Sequence, residues 1–211
     1  MATPLKTLMK QIDFWFSIGS TYTYLTVMRI DGVAERHQLE VRWRPFSVRA
    51  LMQEMNNIPF RGKPVKERYM WRDLERRAGL YDIPIKYPVD YPLEQFDLAN
   101  RIAIVAQTEG WCPQYAKATY RLWFQDGLPA GENANIRQSL AIIGQDHDRV
   151  LELAHTRQTQ ETYESATSQA RSHGIFGSPS FIVFDNELFW GDDRLEDAIA
   201  YAGSPTTGSK T

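Results

Sequence analysis

The sequence of 211 residues contains a single cysteine, Cys112, only four histidines, and no apolar run long enough to cross a membrane. One cysteine excludes a disulfide within the chain and a cluster of thiolate metal ligands, and the histidines lack metal-ligand spacing. A net charge of −2 provides no broad basic surface for nucleic acid or an anionic membrane. We therefore expect no metal, no nucleic-acid partner and no membrane insertion. The lack of a signal-peptide core and the cysteine usage favour the cytoplasm.

What the sequence does contain is typical of a folded globular protein, with 43% hydrophobic and 24% charged residues. An apolar run over residues 11–16 predicts a buried strand. A helix is predicted from Ser20 or Thr21 to about residue 37, followed by a second strand over residues 39–46. Strand, helix and strand in close succession predict a right-handed βαβ unit with parallel strands.

The middle of the chain has a different pattern, in which helical segments are interrupted repeatedly by proline. Helices are predicted here over residues 66–79, 93–110, 113–125, 132–143 and 146–173. After them, Ser178-Pro179 precedes a predicted strand over residues 180–184, a turn, a short strand over 187–190 and a helix over about 193–201. We predict an α/β fold in which residues 1–47 and 174–203 form one discontinuous domain. Residues 48–173 form an inserted all-helical domain, and residues 204–211 form a flexible tail.

Several short motifs carry a resemblance to a known family. They are Asp13-Phe14-Trp15-Phe16-Ser17, Ser20-Thr21-Tyr22-Thr23-Tyr24-Leu25, Arg42-Trp43-Arg44-Pro45-Phe46, Lys66-Glu67-Arg68-Tyr69-Met70, Phe176-Gly177-Ser178-Pro179 and Phe189-Trp190-Gly191-Asp192-Asp193-Arg194-Leu195. Together they resemble the 2-hydroxychromene-2-carboxylate isomerase family, a glutathione-dependent relative of kappa-class glutathione transferases and DsbA-like oxidoreductases. The resemblance covers about residues 11–202. It implies a thioredoxin-like fold, glutathione as the cofactor, a small aromatic carboxylate as the substrate and a homodimer.

By this resemblance, Ser20 is the active serine and stands where DsbA-like relatives keep the first cysteine of their redox motif. The first N–H groups of a helix are unpaired, and this end carries roughly half a positive charge, so it favours an anion. A hydroxyl there can hold the thiolate of glutathione, although it cannot form a disulfide. On local sequence alone, Ser20 is better explained as a helix N-cap. Pro179 and the terminal motif shift the preference towards the active serine.

The resemblance also assigns further residues to the glutathione site: Asn57, Lys66, Ser178, Pro179, Asp192 and Asp193. The bond between Ser178 and Pro179 is expected to be cis and to present the backbone of residue 178 to the cysteinyl part of glutathione. Asp193, in preference to Asp192, is expected to meet the γ-glutamyl ammonium, with helix capping as the alternative for both. The amide of Asn57 and the ammonium of Lys66 can orient carboxylate and carbonyl groups.

The activity has alternatives. A glutathione-dependent cis-trans isomerase is preferred, while a kappa-type glutathione transferase or peroxidase and a non-catalytic thioredoxin-like binding module stay open. Thr21 stands where the family commonly has proline, which should loosen the first helical turn without removing the hydroxyl of Ser20. Cys112 lies within the helical region and is expected to be a buried structural thiol.

Overall fold

The computed structural model describes residues 10–57, 60, 62–184 and 186–203. Within these residues one mixed sheet has the order β2-β1-β3-β4 and consists of β1 (Lys10–Phe16), β2 (Leu39–Pro45), β3 (Ser180–Val183) and β4 (Glu187–Trp190). β2 is parallel to β1, β3 is antiparallel to β1, and β4 is antiparallel to β3. The predicted parallel βαβ unit is therefore confirmed. The tail predicted for residues 204–211 lies outside the described residues.

Helices cover the sheet and fill the insertion between β2 and β3. α1 (Thr21–Arg36) joins β1 to β2, and a 3₁₀ turn at Asp192–Arg194 leads from β4 into α9 (Leu195–Gly203). The insertion contains α2 (Val48–Glu54), α3 (Pro64–Leu80), α4 (Phe96–Glu109), α5 (Cys112–Asp126), α6 (Asn133–Ile142), α7 (His147–His155) and α8 (Arg157–Ser172). This architecture confirms the predicted α/β thioredoxin-like fold with a helical insertion. None of the described helices combines the length and apolarity that a membrane crossing requires.

One predicted helix needs correction, and one helix of the structure was not predicted. The single helix predicted over residues 146–173 is wrong, because Thr156 is extended (φ −67°, ψ 151°) and separates α7 from α8. The hydroxyl of Thr156 accepts a hydrogen bond from the backbone N–H of Thr159 and so caps α8. α2 was not predicted, because it has seven residues and only Val48 and Leu51 are buried, too few for a helical period.

The core is continuous between the sheet and the helical insertion. Phe14 stacks with Phe16 and with Phe181, with ring centroids 5.3 and 5.6 Å apart. On α1, Tyr24 stacks at 4.4 Å with Phe124 of α5. Complete burial of an aromatic or large aliphatic side chain stabilises the fold by about 1.5–3 kcal/mol. The insertion therefore shares its buried surface with the sheet domain, while the domain boundaries at residues 47 and 174 remain predictions.

The break between α7 and α8 predicts a capping effect that chemical denaturation can measure. Thr156→Ala removes the side-chain cap of α8 and should lower the free energy of unfolding by about 1 kcal/mol. Thr162→Ala is the matched control, because Thr162 is exposed inside α8 and its hydroxyl, among the described residues, bonds only the carbonyl of Gln158. Equal stability of the two variants would contradict a capping role for Thr156.

Candidate functional site

Ser20 lies where the chain leaves β1 and enters α1. It occupies the N-cap position with an extended backbone (φ −83°, ψ 125°), yet its side chain caps no N–H group of the helix. Instead, its hydroxyl donates a hydrogen bond of 2.6 Å to the backbone carbonyl of Ser178. The side chain is partly exposed. The start of α1 therefore retains N–H groups without a side-chain cap, next to an accessible hydroxyl oxygen.

Ser178 joins the beginning of β3 to the beginning of α1. Its bond to Pro179 is cis, as the family resemblance implies. Its hydroxyl oxygen accepts a hydrogen bond of 2.9 Å from the backbone N–H of Ser17 and lies 2.8 Å from the hydroxyl oxygen of Thr23. Because its carbonyl also accepts from Ser20, Ser178 fixes both ends of the turn between β1 and α1.

The helical insertion holds the same turn, Ser17–Ser20, from the other side. Asn100 of α4 is fully buried, and its amide accepts from the N–H of Ile18 and donates to the carbonyl of Ile18, both at 2.8 Å. Tyr120 of α5 places its hydroxyl 3.0 Å from the carbonyl oxygens of Ser17 and Ser20. Burial raises the pKa of Tyr120, so the phenol keeps the proton that it donates.

Gly19 allows the insertion to approach this turn closely. Its φ is +121°, and a Cβ added there would lie 2.5 Å from Cδ2 of Phe96, at the start of α4. A side chain at this position would therefore push α4 away from the turn. The sequence did not reveal that Asn100, Tyr120 and Gly19 help to form this site. The one local sign for Asn100 was a polar amide among the apolar residues of a predicted helix.

Asp192 is buried and fully engaged by protein groups. One carboxylate oxygen lies 3.2 Å from Nε of Arg29 and 3.1 Å from the hydroxyl of Thr26, and the other lies 2.7 Å from Nη2 of Arg77. The side chain of Asp192 has no exposed surface. Asp192 thus ties the 3₁₀ turn to α1 and α3, and its carboxylate does not face solvent.

The neighbouring Asp193 has a different environment. It is exposed, and its carboxylate lies 3.1 Å from the guanidinium of Arg194. It also lies close to Gly191, because a Cβ added to Gly191 would be 2.6 Å from Oδ1 of Asp193. An exposed carboxylate is available to pair with the ammonium group of a ligand, and the preference for Asp193 over Asp192 stays a prediction.

α3 contacts the first turn of α1 four residues after Lys66. The hydroxyl of Thr21 lies 2.9 Å from the sulfur of Met70, and Lys66 lies one helical turn before Met70 on the same face. Lys66 and Asn57 are both exposed. Within the described part of the chain, neither side chain has a hydrogen-bond or ion-pair partner. The structure therefore brings Ser20, Ser178 and Pro179 into one cluster and leaves the side chains of Lys66 and Asn57 outside it.

Two other titratable groups near the start of α1 and α5 are held in the neutral form. Burial, together with a hydrogen bond of 2.9 Å to Asp73, raises the pKa of Tyr22. Burial also raises the pKa of Cys112, which lies at the start of α5 and is fully enclosed. A neutral, enclosed thiol suits a structural role.

Comparison with known proteins shows the family to which this chain belongs. Residues 11–201 match the DSBA-like thioredoxin domain. The chain belongs to this family. It is 28% identical over 194 residues to the 2-hydroxychromene-2-carboxylate isomerase of Sphingobium xenophagum, covering 91% of this chain and 97% of that protein. It is 22% identical over 213 residues to "Glutathione s-transferase kappa 2" of Caenorhabditis elegans, covering 94% of each.

A solved structure shows the same fold as this DSBA-like protein. The structure of a 2-hydroxychromene-2-carboxylate isomerase superposes with a TM-score of 0.81 at 23% identity, covering 92% of this chain and 94% of that one. The resemblance inferred from the motifs is therefore confirmed at the level of family and fold.

The contrast between Asp192 and Asp193 gives a paired prediction for this DSBA-like protein. Asp192→Asn removes the carboxylate that pairs with the guanidinium groups of Arg29 and Arg77, although Arg29 keeps Glu196 as a partner. The substitution should lower the free energy of unfolding by about 3 kcal/mol. Asp193→Asn, at an exposed position, should change it by less than about 0.5 kcal/mol. Urea denaturation of both variants measures the difference. A larger loss for Asp193→Asn would contradict the assignment of Asp192 as the structural carboxylate.

Proposed function

We propose that this protein is a glutathione-dependent cis-trans isomerase of 2-hydroxychromene-2-carboxylate or of a closely related intermediate of aromatic-ring breakdown. One observation carries the proposal: a serine hydroxyl, and no thiol, stands at the start of α1 and is hydrogen-bonded to the carbonyl that precedes the cis-proline. A hydroxyl there can stabilise the sulfur of a second molecule but cannot take part in a disulfide. Relatives named as isomerases of this substrate support the choice of reaction.

The residues around Ser20 fit a peptide that carries a thiol. The hydroxyl of Ser20 has a single proton, which it donates to the carbonyl of Ser178. A peptide N–H of the ligand that donates to the same carbonyl would replace this bond, and Ser20 could then turn its proton towards the sulfur. The exposed carboxylate of Asp193 would pair with the ammonium end, while the buried Asp192 would hold the turn that carries Asp193.

Ser20 and the start of α1 would hold the thiol of glutathione and stabilise the negative charge on its sulfur. The bound thiolate would supply a nucleophile for reversible addition to the conjugated double bond of the substrate, which could rotate while it is a single bond. Lowering a thiol pKa from about 8.5 by about two units requires about 2.7 kcal/mol. A hydrogen bond to a charged group contributes about 1.5–3 kcal/mol, and the helix end contributes at most about 2 kcal/mol.

Lys66 and Asn57 are the candidates for stabilising the negative charge on the substrate. Both are exposed and polar, and α3 places Lys66 one turn away from the contact between Met70 and Thr21. A cationic and an amide group there would balance the charge on the substrate carboxylate and on the oxygen that becomes negative during addition.

The proposal extends to a homodimer, which light scattering of the purified protein tests.

A kappa-type glutathione transferase or peroxidase is the second candidate, favoured by the similarity to a kappa-class relative over nearly the whole chain. The two functions differ in what happens to the thiol. Isomerisation returns glutathione unchanged, whereas transfer or reduction consumes it. Titration of free thiol during turnover of 2-hydroxychromene-2-carboxylate therefore decides between them. A non-catalytic binding module would give neither product formation nor thiol loss.

Ser20→Ala tests the proposed site. We expect the pKa of the bound thiol to rise by about one to two units, because the hydrogen bond to the charged sulfur is lost. Thiolate would then form only at higher pH, so turnover should fall about 3- to 25-fold at pH 7 and recover as the pH rises. Ultraviolet absorbance of the thiolate and the pH profile of kcat measure both effects.

Ser172→Ala is the matched control, because Ser172 is exposed on α8 and, in the part of the chain that the structure describes, its hydroxyl bonds only the carbonyl of Gln169. Ser20→Cys adds a second test, since a thiol at this position should form a mixed disulfide with oxidised glutathione, visible by mass spectrometry. An unchanged thiol pKa and an unchanged pH profile in Ser20→Ala would rule out this role for Ser20.

Lys66→Gln should lower kcat/KM for the carboxylate substrate about tenfold, equivalent to about 1.4 kcal/mol, because it removes a positive charge from the substrate side of the site. Lys63→Gln provides the control: Lys63 is also exposed, lies three residues earlier and makes no side-chain cap on α3. Steady-state kinetics at low salt compare the two. Equal losses in both variants would reduce the role of Lys66 to that of general surface charge.

A further inference from the structure

Phe176 and Trp190 form an exposed aromatic pair beside Ser178 that the proposed chemistry does not use. Their exposed fractions are 39% and 51%, and their ring centroids are 4.8 Å apart. Isolated exposed apolar residues are common, but large aromatic side chains that lie together at a surface often mark a binding site. Phe176 lies two residues before Ser178, and Trp190 is the last residue of the neighbouring strand β4.

The topology places Trp190 at the same end of the strands as the turn that carries Ser20. β3 is antiparallel to both β1 and β4, so β1 and β4 run in the same direction. Trp190 is the last residue of β4, and Phe16 is the last residue of β1, just before the turn that carries Ser20. In the register of the sheet, Trp190 is paired with Ser180, which follows the cis-proline directly.

Close packing fixes the indole against the backbone next to Ser178. A Cβ added to Gly177 would lie 2.1 Å from Nε1 and 2.8 Å from Cε2 of Trp190, so the edge of the indole rests on the glycine. The residue after Trp190, Gly191, donates its N–H to the carbonyl of Pro179 at 3.0 Å. Trp190 is therefore held in position relative to Ser178 while half of its surface is exposed.

We propose that Trp190, together with Phe176, forms an aromatic wall that binds the benzene ring of the substrate and determines specificity for aromatic over aliphatic enones. This inference rests on the proposed isomerase function, because it assigns the ring of that substrate to a place next to the sulfur site. Aromatic rings bind one another through stacked or edge-to-face contacts, and tryptophan offers the largest surface for them. Trp190 is fixed along one edge at Gly177 and contacts Phe176, and about half of its surface stays exposed to a ligand.

Two substitutions disturb the wall by different routes. Trp190→Ala removes the indole, and Gly177→Ala keeps the indole but displaces it from the backbone of residue 177. For both we expect KM for 2-hydroxychromene-2-carboxylate to rise about tenfold, while the Kd of glutathione measured by calorimetry stays within about twofold. Trp190→Phe, which retains a smaller ring, should give an intermediate KM. Thermal unfolding identifies any variant that does not fold.

Phe184→Ala is the matched control. Phe184 is 50% exposed, but it follows β3 at the opposite end of the strands from Trp190 and contacts Tyr201 of α9. Its KM should equal that of the wild type. A wild-type KM in folded Trp190→Ala, or an equal rise in Phe184→Ala, overturns the inference and leaves the isomerase proposal intact.

A binding measurement separates this inference from the isomerase proposal. Salicylate, an aromatic carboxylate that cannot be isomerised, is titrated into the wild type and Trp190→Ala in the presence of glutathione. If the wild type does not isomerise the chromene, the proposed function fails, and weaker salicylate binding by Trp190→Ala would still support the wall. Equal salicylate binding, or none in either protein, overturns the wall.

Discussion

The hydrogen bonds of Ser178 are the constraint on which the candidate site depends. Through its hydroxyl and its carbonyl, this residue contacts Ser17, Ser20 and Thr23, although Ser20 lies 158 positions earlier in the chain. A single hydrogen bond contributes only about 0.5–1.5 kcal/mol to stability, but a buried polar group left unpaired costs about 1–3 kcal/mol. Any rearrangement that separates β3 from the turn would leave several polar groups unpaired at once. The arrangement is therefore stabilised more by the cost of breaking it than by the strength of any one bond.

The helical insertion contributes rigidity to this turn as well as surface around it. Asn100 and Tyr120 bond four of its backbone carbonyl and N–H groups, and Phe96 packs against Gly19. Stabilisation of a charge by fixed dipoles is strongest when the dipoles do not have to reorient as the charge forms. A turn held by both the sheet and the insertion satisfies this condition for the start of α1. In the sheet domain alone, the carbonyl and N–H groups of Ile18 would lose the amide of Asn100 and turn towards water.

The sequence predicted the elements that follow from local patterns and missed contacts that depend on distant partners. β1 and β3 were evident from their apolar runs, and Ser20 and Pro179 from motifs. Asn100 is visible as a polar residue in a helix, but nothing local indicates that its partner is Ile18, 82 positions away. Similarly, the motif that contains Asp192 does not reveal that Arg29 of α1 and Arg77 of α3 surround its carboxylate. The break at Thr156 was missed because the residues on both sides favour helix, and a single capping hydroxyl decides the boundary.

The single proton of Ser20 links recognition of a ligand to stabilisation of its sulfur. As long as that proton is donated to the carbonyl of Ser178, the hydroxyl can only accept hydrogen bonds, and a thiolate beside it would meet lone pairs. The hydroxyl can turn to donate to sulfur, but the carbonyl then loses its partner unless another N–H takes that place. Under the proposed function, a cysteinyl peptide brings both the sulfur and the N–H, whereas a simple thiol brings only the sulfur. The site would therefore stabilise the thiolate of a peptide more than that of a small thiol, although the helix end attracts both, and this selectivity follows from using serine where redox relatives use cysteine.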